Sequence, residues 1–548
     1  MIKFIFSLYL LIISLTGISQ TNNAGGVKQN NLQRPKLIVG IVIDQMRWDF
    51  LYRYYDRYQA DGGFKQMLSQ GFSCENTLIP YTPTTTACGH SCIYTGSVPA
   101  INGIVGNDWW DYASSKMMYC TEDLNTKTVG DVSTAGQMSP NNLLVTTIGD
   151  EMRLACNFRN KVIGIALKDR AAILPAGHSA NGAYWYDDKT GGWISSSYYI
   201  SDLPNWVKEL NAKKMVDQYY AQDWKTLYPI ESYVQSTPDD VPYENKPFGK
   251  GFPYLLTPFV GKNYGLLHVT PYGNSFTFEM AKAAVQGEQL GAGSFTDLLA
   301  ISLSTPDYIG HTFGPNSIEA EDDFLRLDKD FGDFLRFLDK QVGKGNYLLF
   351  LSADHGVAQV PGFLKDHKIP AGSVDEASVT DQLNKQLKDK FKSDKLVIGI
   401  INYQVYFDHN KMNEDRLNRD AVFKEAISFL SAQPGISRAI VLDALSASTL
   451  NMDVKNSLAN GYNASRSGDI QLIYLPQWIA GFEAKGTTHG AWNPYDAHIP
   501  LLWYGWNIQP GQSGRRVYMS DIAPTIAAML HIQMPSGSVG RPIEEIVK

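Results

Sequence analysis

At 548 residues, with 44% hydrophobic, 12% aromatic and 19% charged side chains, the chain has ample material for a large buried core, which excludes global disorder. A formal charge of -7, with no run of Lys and Arg, excludes general nucleic-acid binding. The length allows two to four domains, but large α/β enzymes often wind one sheet through the whole chain and carry the remainder as insertions.

The N-terminus, MIKFIFSLYLLIISLTGISQ, has one Lys, an apolar stretch from Phe4 to Leu15, and small residues Gly17 and Ser19 at cleavage-compatible spacing. This predicts a signal peptide over residues 1–19 and a periplasmic or secreted protein. The apolar run is short for a membrane span, the polar residues 20–33 read as a flexible mature N-terminus, and no later stretch is fit to cross a bilayer. The five cysteines (Cys74, Cys88, Cys92, Cys120 and Cys156) lie in the first third and make no disulfide scaffold. Their odd number leaves at least one free thiol in a monomer, and their pairing is left open.

Leu37 to Ile43, LIVGIVI, predicts a strand buried on both faces. It ends in Asp44, where open α/β sheets place their ligands; a loop-capping acid is the alternative. Tyr55 to Gln70 reads as a helix. In YTPTTTACGHSCIYTG, Pro83 disfavours helix for Thr82 and leaves Ala87 to Tyr94 as a short helix ending at Gly96. A threonine at that helix start sits among free N–H groups, where an anion such as a phosphoryl group can meet an attacking hydroxyl. An ordinary Ser/Thr-rich N-cap turn fits the same residues. Cys88 and Cys92 flank His90 in sequence, but on a helix His90 points away from the face they share, and buried packing is the favoured reading.

A Gly-punctuated loop then carries Asn102, Asn107 and Asp108. Pro140 to Ala155 reads as a helix, and Lys161 to Leu167 as the next buried strand, followed by Lys168, Asp169 and Arg170. Two cations at a sheet edge suit an anion; a solvated turn is the alternative. From about 182 to 290 the composition shifts to Tyr, Trp, Pro and Asn and predicts an insertion folded over the sheet's edge. Leu298 to Leu303 is a strand followed by Asp307 and His311, Ile318 to Val342 a long helix, and Tyr347 to Leu351 a strand followed by Asp354 and His355. A second insertion, about 360–483, contains the strand-like VIGIINYQVYF and a helix over Val422 to Leu430. GTTHG with His489, the strand Ile499 to Tyr504 and the helix Ser520 to Leu530 close the chain. Without repeats or low-complexity linkers after residue 33, residues 34–548 read as a single catalytic domain with two insertions.

Five strand-like runs, with helices between several of them, predict an α/β fold: a doubly wound, mostly parallel sheet flanked by helices. Three of the runs are followed by Asp or Asp with His. With His489 this makes three carboxylates and three imidazoles, ligand chemistry suited to two divalent ions, and zinc is favoured for His with Asp in an exported protein.

The ordered set resembles the alkaline phosphatase superfamily: Asp44, TxxxH with TG from Thr86 through His90 to Gly96, GIVGN ending at Asn107, DYIGH from Asp307 to His311, ADHG over 353–356, and THG at His489. It is most similar to the bacterial PafA-type alkaline phosphatases, which share a core with nucleotide pyrophosphatase/phosphodiesterases and use a Thr nucleophile. The resemblance implies two Zn2+ ions, one held by Asp307, His311 and His489 on the leaving-group side, the other by Asp44, Asp354 and His355. The second would bind and activate Thr86, with Thr84 and Thr85 as neighbouring rivals for the nucleophile. Asn107, Lys168 and Arg170 would contact phosphoryl oxygens, and His90 would be structural and not a ligand. The implied protein is an exported two-zinc phosphatase that hydrolyses small phosphate monoesters through a phosphothreonine. The alternatives are a phosphodiesterase or pyrophosphatase of the same superfamily, or a non-catalytic exported binding protein on this fold. A third, magnesium site and a sulfatase Cys/Ser-x-Pro-x-Arg motif are not evident, and the oligomeric state is left open.

Overall fold

The computed structural model describes residues 32–481 and 485–547. The expected signal peptide, and the expected flexible terminus up to residue 31, lie outside the described residues.

Five parallel strands form the centre, in the order Tyr347–Ser352, Leu37–Ile43, Asp297–Leu303, Val162–Ala166 and Gly182–Asp187. Every residue in them is buried, which is why each reads as an apolar or aromatic run without alternation. The sheet is widened by antiparallel strands, Leu501–Gly505 beside Tyr347–Ser352 at one end and Gly192–Ser196 beside Gly182–Asp187 at the other. Helices Thr86–Thr95, Asp169–Ala176 and Ile522–Leu530 are packed into one group, and Gly63–Gln70, Tyr272–Gly287 and Ile318–Leu338 into another. This is the doubly wound α/β architecture that the spacing of strands predicts. Because the central strands are parallel, Asp44, Lys168, Asp307 and Asp354, which follow four of them, gather at one edge.

Three elements differ from expectation. Of the single helix expected over 55–70 only Gly63–Gln70 forms, and a separate short helix, Phe50–Arg53, lies ahead of the expected span. The N–H groups of Gln59, ahead of Gly63–Gln70, and of Phe64, in its first turn, donate to the Asp328 carboxylate at 2.8 and 2.9 Å, and a tertiary anchor overrides local propensity. The helix expected from Pro140 begins only at Ile148. Its start is set by a capping box in which Thr147 Oγ1 accepts from the Asp150 N–H and Asp150 accepts from the Thr147 N–H. The stretch expected to fold over the sheet's edge from residue 182 opens inside the sheet, as the strand Gly182–Asp187.

Within the stretch 360–483, a separate four-stranded sheet has the order Val397–Ile401, Gln404–Phe407, Ile470–Tyr474, Ile436–Val441. It packs a core of its own that includes Leu383, Phe407, Val422 and Leu472. VIGIINYQVYF is a hairpin in this sheet, turned by Asn402 and Tyr403 at φ 54° and 63°, the backbone that a tight two-residue hairpin requires. All five cysteines are buried and unpaired. No described helix is long and apolar enough to cross a membrane.

Candidate active site

Two clusters of ligand atoms form at the carboxyl edge of the central strands, Asp307 with His311 and His489, and Asp44 with Asp354 and His355. The helix Thr305–Phe313 carries Asp307 and His311 at i and i+4, so both face the sheet edge. His311 Nε2 lies 3.1 Å and His489 Nε2 3.7 Å from Asp307 Oδ1. In the second cluster His355 Nε2 is 3.5 Å from both Asp44 Oδ1 and Asp354 Oδ2. The rings of His355 and His489 stack with centroids 3.5 Å apart, which brings the two clusters side by side.

The donor set fits metal ions. Each of the three imidazoles spends Nδ1–H on a backbone carbonyl: His311 on Thr487 at 2.7 Å, His489 on Thr84 at 2.7 Å and His355 on Gly356 at 3.0 Å. That fixes the tautomer and leaves three Nε2 lone pairs aimed at carboxylates, the arrangement in which imidazole binds a cation. Asp44 Oδ1 is buried and accepts no hydrogen bond, an arrangement costly to a folded protein unless a cation sits against it. Burial, together with the charges of Asp307 and Asp354, pushes the Asp44 carboxyl well above the usual carboxylate range. Burial and the neighbouring His355 and His311 push His489 well below its ordinary value, so that ring is neutral. Three buried carboxylates held this close together call for positive charge.

Thr86 is the first residue of the helix Thr86–Thr95, with Thr85 as N-cap, and its Oγ1 lies 3.5 Å from His355 Nε2. The structure thus puts Thr86 at the second cluster. By contrast, Thr84 Oγ1 is engaged with the Ala491 carbonyl at 2.9 Å and Thr85 Oγ1 with Cys88 Sγ at 3.3 Å. The helix approaches Asp354 closely because Gly89 has no side chain; a Cβ there would lie 2.5 Å from the Asp354 carbonyl oxygen. His90 holds the Thr86 carbonyl through Nδ1 and Ser302 Oγ through Nε2, both at 2.9 Å, and its Nδ1 also lies 3.3 Å from Asp354 Oδ2, so it supports a member of the second cluster from outside the ligand groups. Asn107 accepts the Ala87 N–H through Oδ1 at 3.0 Å, which turns its Nδ2 donor free of that bond.

Lys168 and Arg170 differ from each other in position. Lys168 Nζ is buried and donates to Asp44 Oδ2 at 2.7 Å and Asp307 Oδ2 at 2.5 Å, one carboxylate of each cluster. Despite burial, those charges hold its ammonium above the usual lysine range, so it stays charged. Arg170 lies in the first turn of Asp169–Ala176, donates to Tyr119 OH at 3.1 Å, and has no partner on Nε. Beyond these two cations opens a cavity of about 370 Å³, lined by Tyr119, Trp185, His268 and Tyr308 among others.

Three residues around the site give no signal in the sequence. Gln45 follows Asp44 at φ 66° and touches both clusters. Tyr403, at the hairpin turn, donates to the carbonyl of His489 at 3.0 Å, while its neighbour Asn402 donates to the carbonyl of Asp108 at 2.7 Å.

A family model described as type I phosphodiesterase / nucleotide pyrophosphatase matches residues 38–496, which contain every cluster residue above. The chain belongs to this family. Within it, the chain is 52% identical to alkaline phosphatase PhoV of Synechococcus elongatus, covering 98% of this chain and 99% of that protein. It is also 52% identical, over 94% of this chain and 95% of the relative, to a Myroides odoratus protein named calcium-transporting ATPase. The crystal structure of wild-type alkaline phosphatase PafA superimposes with a TM-score of 0.93 at 48% identity, covering 95% of this chain and all of that one.

Proposed function

We propose that this protein is an exported two-zinc alkaline phosphatase that hydrolyses small phosphate monoesters with Thr86 as the nucleophile. The hydrolase activity on phosphate monoesters follows from full-length likeness to the phosphatases above. The observation that carries the detailed reading is the meeting of two buried Asp/His clusters beside one threonine hydroxyl.

Asp307, His311 and His489 hold one zinc, and Asp44, Asp354, His355 and Thr86 the other. Bound there, the two ions supply positive charge for the attacking and leaving oxygens and favour ionisation of the hydroxyl. Thr86 Oγ attacks phosphorus in line, the ester oxygen departs, and water then releases phosphate from the phosphothreonine. Asn107, fixed through its Oδ1, offers Nδ2 to a phosphoryl oxygen. Lys168 and Arg170 face the extra anionic oxygen that a monoester has and a diester lacks, which favours monoesters despite the diesterase family name. The cavity beyond them leaves room for the organic group. Export rests on the first 19 residues, a charged start, an apolar stretch and a small-residue end.

The test is a rate comparison of an aryl monoester, an aryl diester and an aryl sulfate with zinc content measured on the same sample. A preference for the monoester at two zinc ions per chain is expected. A diester turned over faster than the monoester would reverse the reading.

A further inference from the structure

The turn after the strand Leu37–Ile43 places a glutamine where its main chain and side chain serve different clusters. The Gln45 backbone N–H donates to Asp354 Oδ1 at 3.1 Å, and its side-chain Nε2 donates to Asp307 Oδ1 at 2.6 Å. Both contacts are buried, and Gln45 itself is 2% exposed. Its φ of 66° lies in the left-handed region that residues with a Cβ rarely occupy, and such outliers persist where surrounding contacts over-determine them. The amide is also wedged from the far side. A Cβ built on Gly310, the residue before the ligand His311, would lie 1.9 Å from Gln45 Oε1.

From these contacts we infer that Gln45 is a positioning residue that ties the two metal clusters together, its amide orienting Asp307 of one while its backbone orients Asp354 of the other. The inference rests on the two-zinc reading above. Asp307 Oδ1 is the oxygen on which His311 and His489 also converge, so an N–H bonded to it directs the remaining lone pairs of that carboxylate towards a cation. Groups that orient metal ligands in this way typically change metal affinity tenfold to a hundredfold when removed. The two arms separate in mutants: shortening the side chain removes the contact to Asp307 and leaves the backbone N–H on Asp354.

The experiment is equilibrium zinc titration of the metal-free full-length protein against a competing chelator, resolving the two ions. In Gln45→Ala and Gln45→Gly one affinity falls tenfold to a hundredfold and the other changes little. Gly melts no lower than Ala, because only Gly is at ease at that φ. Gly310→Ala, with Gln45 in place, lowers the same affinity by displacing the amide, and adding it to Gln45→Ala costs no more, as expected of two changes that act through one contact. If both affinities are unchanged in Gln45→Ala, or fall together, the amide is mere packing and the inference is overturned. The same holds if Gly310→Ala acts equally with and without the amide. A wild-type protein that takes up no zinc overturns this inference and the two-zinc reading together, whereas two ions insensitive to Gln45 overturn the inference alone.

Discussion

The ammonium of Lys168 bonds Asp44 at 2.7 Å, a ligand candidate that follows a different strand of the sheet, and it reaches a carboxylate of the other cluster as well. Lys168 therefore neutralises one carboxylate of each cluster, and on the proposed reading it meets substrate as well, while Arg170 has no bond to either cluster. Arg170→Ala should slow monoester hydrolysis roughly tenfold to a hundredfold, about 1.5 to 3 kcal/mol for a charge-assisted contact, and diester hydrolysis much less. Lys168→Ala should slow both substrates and lower zinc occupancy. Steady-state rates on the two esters with metal analysis decide it; equal losses on both esters in Arg170→Ala would remove its part in selectivity.

Thr86 should carry phosphate during turnover. Because the attacking atom is its hydroxyl, Thr86→Ala should lose most activity while Thr86→Ser retains some. Mass spectrometry of acid-quenched protein locates the phosphate, and phosphate on Thr85 would shift the nucleophile by one residue.

Chelation should abolish turnover, and zinc should restore it. Asp307→Ala and His489→Ala should each remove about one metal per chain, since each takes a donor from one cluster and leaves the other whole. Full activity in a metal-free preparation is the result that ends the two-zinc reading.

The capping box at Thr147 makes a pH prediction away from the metals. Burial alone would raise the Asp150 carboxyl, but hydrogen bonds from His178, Ser179 and Thr147 hold it down at about 2. The same bond to Asp150 raises His178 above its ordinary value. For the lowered carboxyl, the stabilisation is present above its unfolded value of about 3.8 and is lost as pH falls towards 2. For the raised imidazole, it is present below about 6.5 and is lost as pH rises through the folded value. Urea unfolding of wild type and His178→Asn should therefore differ most between about pH 4 and 6.5 and converge on the alkaline side. A gap that stays constant from pH 6 to 9 would refute the ion pair.

Much of this site was legible because its chemistry lies at strand ends. Asp44, Asp354 and Lys168 follow buried runs directly, and Asp307 and His311 sit one helical turn apart just beyond another. Pro83 and Gly96 bracket the helix, which starts at Thr86, one residue ahead of the start they predict. Gln45 was not legible, since nothing local marks a glutamine for a left-handed turn; only its contacts to Asp307 and Asp354 explain it. The break before Gly63 likewise has no local signal, its cause being Asp328 on a distant helix. Thr147 was a readable start signal, Thr with an acid three residues on, that the apolar residues Leu143 and Leu144 outweighed.

The hairpin turn at Asn402 and Tyr403 constrains anyone who would build a smaller catalyst from this chain. Its two residues reach out of the second sheet to brace the main chain of His489 and the strand Asp108–Asp111 that follows Asn107. Trimming residues 360–483 to leave a bare sheet and its helices would thus remove a strut from a candidate ligand histidine and from the strand beside the proposed phosphoryl contact at once. A compact version of this enzyme must carry that turn with it, or replace both hydrogen bonds by other means.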